Sequence, residues 1–284
     1  RMTQAKADLQ LTLWFNSRKK IMSDTETVLL ELLDGVAVIR LNRPSMMNSV
    51  NADMRATLTQ LLYKVDNDAE VQAIVLTGSG ERAFCGGQDI DEASNIDTTN
   101  LANWLNRQHA MYQAVRNVNK PIVAALNGVT VGAGFQMALM CDLRIAHASV
   151  RLGQPEVRAG LASIVGSYLM SLQIGHSLNQ QLSLSGELIS GERAHTIGLV
   201  NDLVSSHEVL THATERAREL AALPAMAYRT TKQRFREKTQ PGFDEACTAG
   251  IRYQLECYST GEPQRVMREF IARREVKNTN LGNP

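Results

Sequence analysis

Two stretches, "AIVLTG" (73–78) and "PIVAALNG" (121–128), are apolar or β-branched almost throughout, and each stops at a glycine. A third, "VAVIRLN" (36–42), stops at an asparagine. A strand with one wet face alternates polar and apolar residues, whereas unbroken apolar runs belong to strands buried on both faces, as in parallel sheets. The intervening segments carry helical periodicity. Met54, Leu58, Leu61, Leu62 and Val65 mark one face of a helix over 51–66, and Leu101, Trp104, Leu105, Tyr112 and Val115 mark another over 100–118. Strands that alternate with helices predict a largely parallel α/β core.

Beyond about residue 205 the texture becomes charged and amphipathic, with helices expected over 207–222, 224–238, 242–258 and 262–274. Pro224, Pro241 and Pro263 each fall near an expected helix start. The chain divides into an N-terminal extension (1–21) outside the fold, a core (22–205) and a C-terminal helical region (206–284). Met22 with "SDTETVLLELLDGVAVIRLNRP" reads as a natural start, which sets residues 1–21 apart.

Several function classes are excluded early. A formal net charge of +1 leaves no electrostatic footprint for nucleic acid or an acidic membrane surface. No run approaches the roughly 18 apolar residues of a membrane span, and Leu9 to Phe15, interrupted by Gln10 and Thr12, leads to no cleavage site. Cys85, Cys141, Cys247 and Cys257 form no C-x-x-C pair, a usage that suits a reducing cytoplasm. There is no G-x-S-x-G elbow and no Walker A loop. "HEVLTH" (207–212) spaces its histidines by five, on different helix faces, so no metal is expected there.

Two glycine loops remain. "FCGGQDID" (84–91) follows one buried strand. "NGVTVGAGFQ" (127–136) follows another and opens a helix, whose first N–H groups favour negative charge. A dinucleotide turn would need a third glycine where Met137 stands, which weakens a nicotinamide-dependent oxidoreductase reading. Two such loops can instead aim two N–H groups at one oxygen, forming an oxyanion hole. In "RLGQPEVRAGL" (151–161), Glu156 follows Pro155 among apolar and small residues. Surface solvation is the ordinary role of such a glutamate; beside two anion-stabilising loops it is a candidate proton shuttle with a raised pKa.

"LNRPSMMNSVN", "AFCGGQDI", "NKPIVAALNGVTVGAGFQMALMCDLRIA", "GQPEV" and "SGERAHTIGLVNDLV" occur in that order. Together they resemble the crotonase (enoyl-CoA hydratase/isomerase) superfamily, from about Thr27 through the C-terminal helices. The resemblance implies a spiral of ββα units with a C-terminal helical trimerisation region, a homotrimer or dimer of trimers, and an acyl-CoA thioester substrate. No cofactor is implied beyond the coenzyme A that the substrate carries. Its oxyanion donors fall on the backbone N–H groups of Gln88 and Ala133, flanked by Gly87, Gly132 and Gly134. It makes Arg43 and Lys232 candidates near the coenzyme A, although Asp91 stands where other members often have lysine.

Hydratases of this family use two glutamates. The second is present as Glu156, but the first position holds Gln136, an amide that takes up no proton at neutral pH. Water addition wants two acid/base groups. A single glutamate better suits moving a proton between two carbons of an enolate, so double-bond isomerisation is the favoured expectation. The alternatives are a hydratase in which Gln136 positions water, another one-glutamate chemistry such as thioester hydrolysis, decarboxylation or C–C cleavage, and a non-catalytic acyl-CoA-binding relative.

Overall fold

A computed structural model describes residues 20–21 and 26–281 of the 284-residue chain. The reading of residues 1–21 as an extension falls outside the described residues except at Lys20–Ile21, which form β1 and pair with Glu31 and Leu30. The other strands are β2 (Val28–Leu33), β3 (Val36–Leu41), β4 (Ala73–Gly78), β5 (Ala83–Cys85), β6 (Ile122–Leu126), β7 (Val129–Val131), β8 (Leu143–Ala146), β9 (Arg151–Gly153), β10 (Ile189–Ser190) and β11 (Asp202–Leu203). The helices are α1 (Ala52–Asn67), α2 (Ile90–Ala93), α3 (Leu101–Asn117), α4 (Ala133–Met140), α5 (Val165–Ser171), α6 (His176–Ser185), α7 (Gly191–Thr196), α8 (Val209–Ala221), α9 (Ala225–Ser259) and α10 (Glu262–Leu281).

From β4 to β9 the chain deals successive strands alternately to two sheets. The larger runs β1-β2-β3-β4-β6-β8-β11, parallel from β3 onward. The smaller runs β10-β9-β7-β5, with β5, β7 and β9 parallel. Each pair β4–β5, β6–β7 and β8–β9 therefore places one strand in each sheet before the chain turns into helix, which is the expected spiral of ββα units. β4 and β6 are buried along their whole length, as their unbroken apolar runs predicted. α8 closes one face of the larger sheet, with Val209, Ala213 and Ala217 packed against Val38, Val75 and Val123.

The expected apolar faces are largely the buried ones. On α1, Met54, Leu58, Leu62 and Val65 are buried, with Asn51 capping the helix by accepting from Met54 N at 3.0 Å. Arg55 is buried beside them, which the periodicity did not announce. The C-terminal region differs at Pro241. Two helices were expected to meet there, but α9 runs unbroken over 35 residues with the proline inside it. Proline removes an intrahelical N–H bond and is tolerated within a helix where packing compensates. Here Tyr168 Oη donates to the Thr239 carbonyl at 2.6 Å. A Cβ on the following Gly242 would meet the Tyr168 ring at 2.7 Å, so the Pro-Gly step lets that ring seat against the helix. All four cysteines are free thiols.

This topology fixes where chemistry can sit. β5, β7 and β9 end side by side in the smaller sheet, at Cys85, Val131 and Gly153. From those three ends leave the segments carrying Gly87–Gln88, Gly132–Ala133 and Gln154–Glu156.

Candidate active site

The second loop is shaped by two glycines. Gly132 takes φ 51°, ψ −124°, a backbone conformation that disfavours a side chain, and a Cβ there would stand 3.4 Å from Glu156 Oε1 and 3.6 Å from Gly87 Cα. Gly134 lets α4 lie on β5, because a Cβ on it would meet Cys85 Cβ at 2.5 Å. Ala133 opens α4, so its N–H has no intrahelical acceptor. In the first loop Gly87 O accepts from Val50 N at 2.8 Å and Asp89 N donates to Val50 O at 3.0 Å. That pairing turns the intervening Gln88 N–H away from Val50. Thus two loops from adjacent strands bring an unpaired helix-start N–H and a second main-chain N–H to one place.

Gln88, Ala133, Gln136 and Glu156 line a single cavity of about 90 Å³. Its far walls come from α3 (Trp104, Leu105, Gln108, His109, Tyr112), from Leu161 to Val165, and from Gly250, Gln254 and Tyr258 of α9. α9 therefore roofs the cavity, a contribution from the C-terminal region that no local motif signalled.

Glu156 begins a 3₁₀ turn after Pro155. The residue as a whole is partly exposed, but its carboxyl group is enclosed, and burial raises its pKa from 4.5 to about 7, against its own backbone hydrogen bond and that of Gln136. Gln136, 8% exposed, donates through Nε2 to Glu156 Oε1 at 3.1 Å. Its Nε2 also lies 3.1 Å from Gln154 Oε1. Turned about its own axis, the Gln154 amide instead presents its nitrogen to both carboxyl oxygens, at 2.5 and 2.9 Å. The buried Gln154 amide in that orientation donates to the ionised carboxylate. A carboxyl held this way takes up and releases a proton near neutral pH.

The facing wall is built around Arg55, whose side chain is 3% exposed. It donates to Gln88 Oε1 at 3.0 Å and Gln108 Oε1 at 3.3 Å, and pairs with Glu92. Glu92 in turn accepts from Trp104 Nε1 and from Ala52 N. His109 is kept neutral, its pKa lowered to about 4 by burial.

The sequence-predicted residues divide cleanly. Gln88, Ala133, Gln136 and Glu156 meet in the cavity, with Gly87 and Gly132 shaping it and Gly134 packing behind it. Arg43 and Lys232 do not line it. Arg43 pairs with Asp89 at 2.6 Å and Ser49 O at 2.7 Å, bracing the loop beside Gln88. Lys232 pairs with Asp142 at 2.8 Å in a separate groove with Arg116, Tyr228 and Arg236. Sequence pattern does not single out Arg55 and Gln108, polar positions on helices whose apolar faces carry the signal, and Gln154 lies within "GQPEV" with no motif that assigns it a role. Among the described residues no cluster of three His, Cys, Asp or Glu is arranged to hold a metal, and no helix is long and apolar enough to cross a membrane.

Sequence and fold together match a known class. The family model described as enoyl-CoA hydratase/isomerase matches residues 31–280. The chain belongs to that family, within the crotonase superfamily, and is an enzyme of the crotonase type. It is 31% identical over 255 residues to the short-chain-enoyl-CoA hydratase of Clostridium acetobutylicum, covering 89% of this chain and 98% of that one. It is 35% identical over 207 residues to the (E)-benzylidenesuccinyl-CoA hydratase of Thauera aromatica, covering 72% and 80%. The crystal structure of an enoyl-CoA hydratase/isomerase from Mycobacterium paratuberculosis superposes with a TM-score of 0.79 at 25% identity, covering 86% and 98%.

Proposed function

We propose that this enzyme acts on acyl-CoA thioesters and moves a proton between carbons of an enoyl-CoA, with Glu156 as its single acid/base. The thioester oxygen sits between the N–H groups of Gln88 and Ala133. Ionised Glu156 takes a proton from C2 of a 3-enoyl-CoA, and the electron pair moves onto the thioester oxygen as an enolate held by the two donors. The protonated acid returns that proton to C4, the double bond settles at C2–C3, and Glu156 is ionised again. No cofactor enters beyond the coenzyme A carried by the substrate.

The observation that carries this reading is the contact of Gln136 Nε2 with Glu156 Oε1 at 3.1 Å. Where two-glutamate hydration needs a second proton acceptor, this chain has an amide that donates to the one carboxylate. The neighbouring Gln154 amide donates to the same carboxylate. A hydratase in which Gln136 orients water is the second reading, favoured by the names of the relatives compared above. Gly87, Gly132 and Gly134 shape the loops around the substrate in either case. Arg43 and Lys232, engaged with Asp89 and Asp142, are retained as proposed contacts for the coenzyme A portion only through rearrangement of those pairs.

Assembly as a homotrimer or dimer of trimers in the cytoplasm belongs to the same reading, and exposed Leu172, Met226 and Phe235 supply apolar surface for it. The deciding experiment incubates the purified enzyme separately with trans-3- and trans-2-enoyl-CoA and resolves the products chromatographically. The isomerase reading expects conversion of the 3-enoyl ester to the 2-enoyl ester. Hydration of the 2-enoyl ester with the 3-enoyl ester untouched would overturn it.

A further inference from the structure

Glycine weakens a helix interior relative to alanine, so a glycine kept there ordinarily has a packing reason. Gly134, Gly166 and Gly242 each have one. A Cβ on them would meet Cys85 Cβ at 2.5 Å, the Gln154 amide at 2.4 Å and the Tyr168 ring at 2.7 Å. Gly250 has none of this kind. It is buried inside α9, yet a Cβ on it would come no closer than 3.6 Å to Val165 Cγ2 and 4.0 Å to Ile164 Cβ. A methyl group fits there in ordinary contact and displaces nothing. Nor is its backbone in the left-handed region that favours glycine. The space a side chain would take belongs to the cavity, which Gly250 lines with Gln254 and Tyr258, one and two turns further along the same face of α9.

Resting on the reading of this cavity as an acyl-CoA site, we propose that Gly250 sets how long an acyl tail the cavity admits. The tail passes beneath α9 at Gly250, and the missing side chain is the room it uses. Val165 and Ile164 border that room, and Leu105 and Leu161 share the same lining, so the tail it takes is a hydrocarbon. At about 90 Å³ the cavity holds roughly three groups the size of a water molecule. The tail is therefore short, and a side chain at position 250 would take part of its space. The helix gives up the stability of alanine there to keep that space open.

The test measures kcat/KM for straight-chain enoyl-CoA esters, from butenoyl to decenoyl, in wild type, G250A and G250V. The hexenoyl-to-butenoyl ratio should fall about tenfold in G250V, at the low end of the cost of forcing extra methyl groups into filled space. It should fall by less in G250A. Urea unfolding supplies a second readout: G250A should have a higher midpoint than wild type, because the added methyl group favours the helix and meets no clash. An unchanged ratio in both variants would overturn the proposal, as would an equal loss on every ester. So would a lower midpoint in G250A, or a wild type that favours decenoyl over both shorter esters. If no enoyl ester is turned over, the reading of the reaction fails instead. Calorimetric dissociation constants for butyryl-CoA and hexanoyl-CoA in wild type and G250A then decide the proposal by the same ratio. G250A also decides it should G250V fail to fold.

Discussion

Two carboxylates, Glu156 in the lining of the cavity and Glu92 behind its Arg55 wall, differ in their partners. Glu92 faces a guanidinium, with Trp104 Nε1 and Ala52 N completing its hydrogen bonds. Glu156 faces only amides, Gln136 and Gln154, and its pKa rises to about 7. Burial penalises the ionised form of Glu156 against two hydrogen bonds, from its own backbone N–H and from Gln136, and among the described residues no cation pairs with it. One wall is therefore fixed in charge and holds the amides of Gln88 and Gln108 in orientation. The other is poised to change charge. The same residue type serves as scaffold or as proton carrier according to its neighbour.

The largest break in this contrast is E156Q, which keeps the shape and removes the titrating group. Turnover of whichever enoyl-CoA the wild type processes should fall by about a thousandfold, within the range for loss of a general acid/base. In the wild type, kcat/KM should climb about tenfold per pH unit and level off above about 7, because the base must be ionised to accept a proton. E156Q should lack that limb. Activity equal to wild type would remove Glu156 from the chemistry altogether.

R55A breaks the other wall. It leaves Glu92, 23% exposed at its side chain, without its cation, and should cost about 3 kcal/mol of stability in urea unfolding. A loss below about 1 kcal/mol would give the pair the energetics of a surface contact. The smallest effect, and the sharpest comparison, comes from Q136E. A second carboxylate 3.1 Å from Glu156 Oε1 would share its proton. The pH–rate limb should move upward by about one unit, or about 1.4 kcal/mol, and hydration should gain relative to isomerisation. An unmoved midpoint would show that residue 136 does not sense the charge on Glu156.

The mobile-charge wall was the legible one. Gln88, Ala133, Gln136 and Glu156 each follow closely on the end of a short strand, in segments whose glycines announce tight main-chain geometry, so short-range pattern located them. The fixed-charge wall was not legible. Arg55 occupies a helix position that periodicity assigns to the boundary of the apolar face, and its partner Glu92 lies 37 residues on. A buried arginine looks like a solvated one until its partners are known. Lys232 shows the reverse: on a charged helix it is free to reach a ligand by sequence, whereas the fold gives it Asp142 and the Lys120 carbonyl. The strands and helices expected between residues 36 and 128 formed, because that pattern reports local burial. The expected break at Pro241 did not, because Tyr168 and Gly242, packed together across 74 residues, support a helix that proline alone would interrupt.

The donors proposed at Gln88 and Ala133 are main-chain groups, and this has a consequence for how the enzyme would respond to a full mutational scan. Side-chain replacement at those two positions, short of proline, deletes neither donor. Sensitivity should appear one residue earlier, at Gly87 and Gly132, where the path of the chain is set. At residues 88 and 133 such a scan would report packing and the Arg55 hydrogen bond, while the two proposed donors themselves stay beyond its reach.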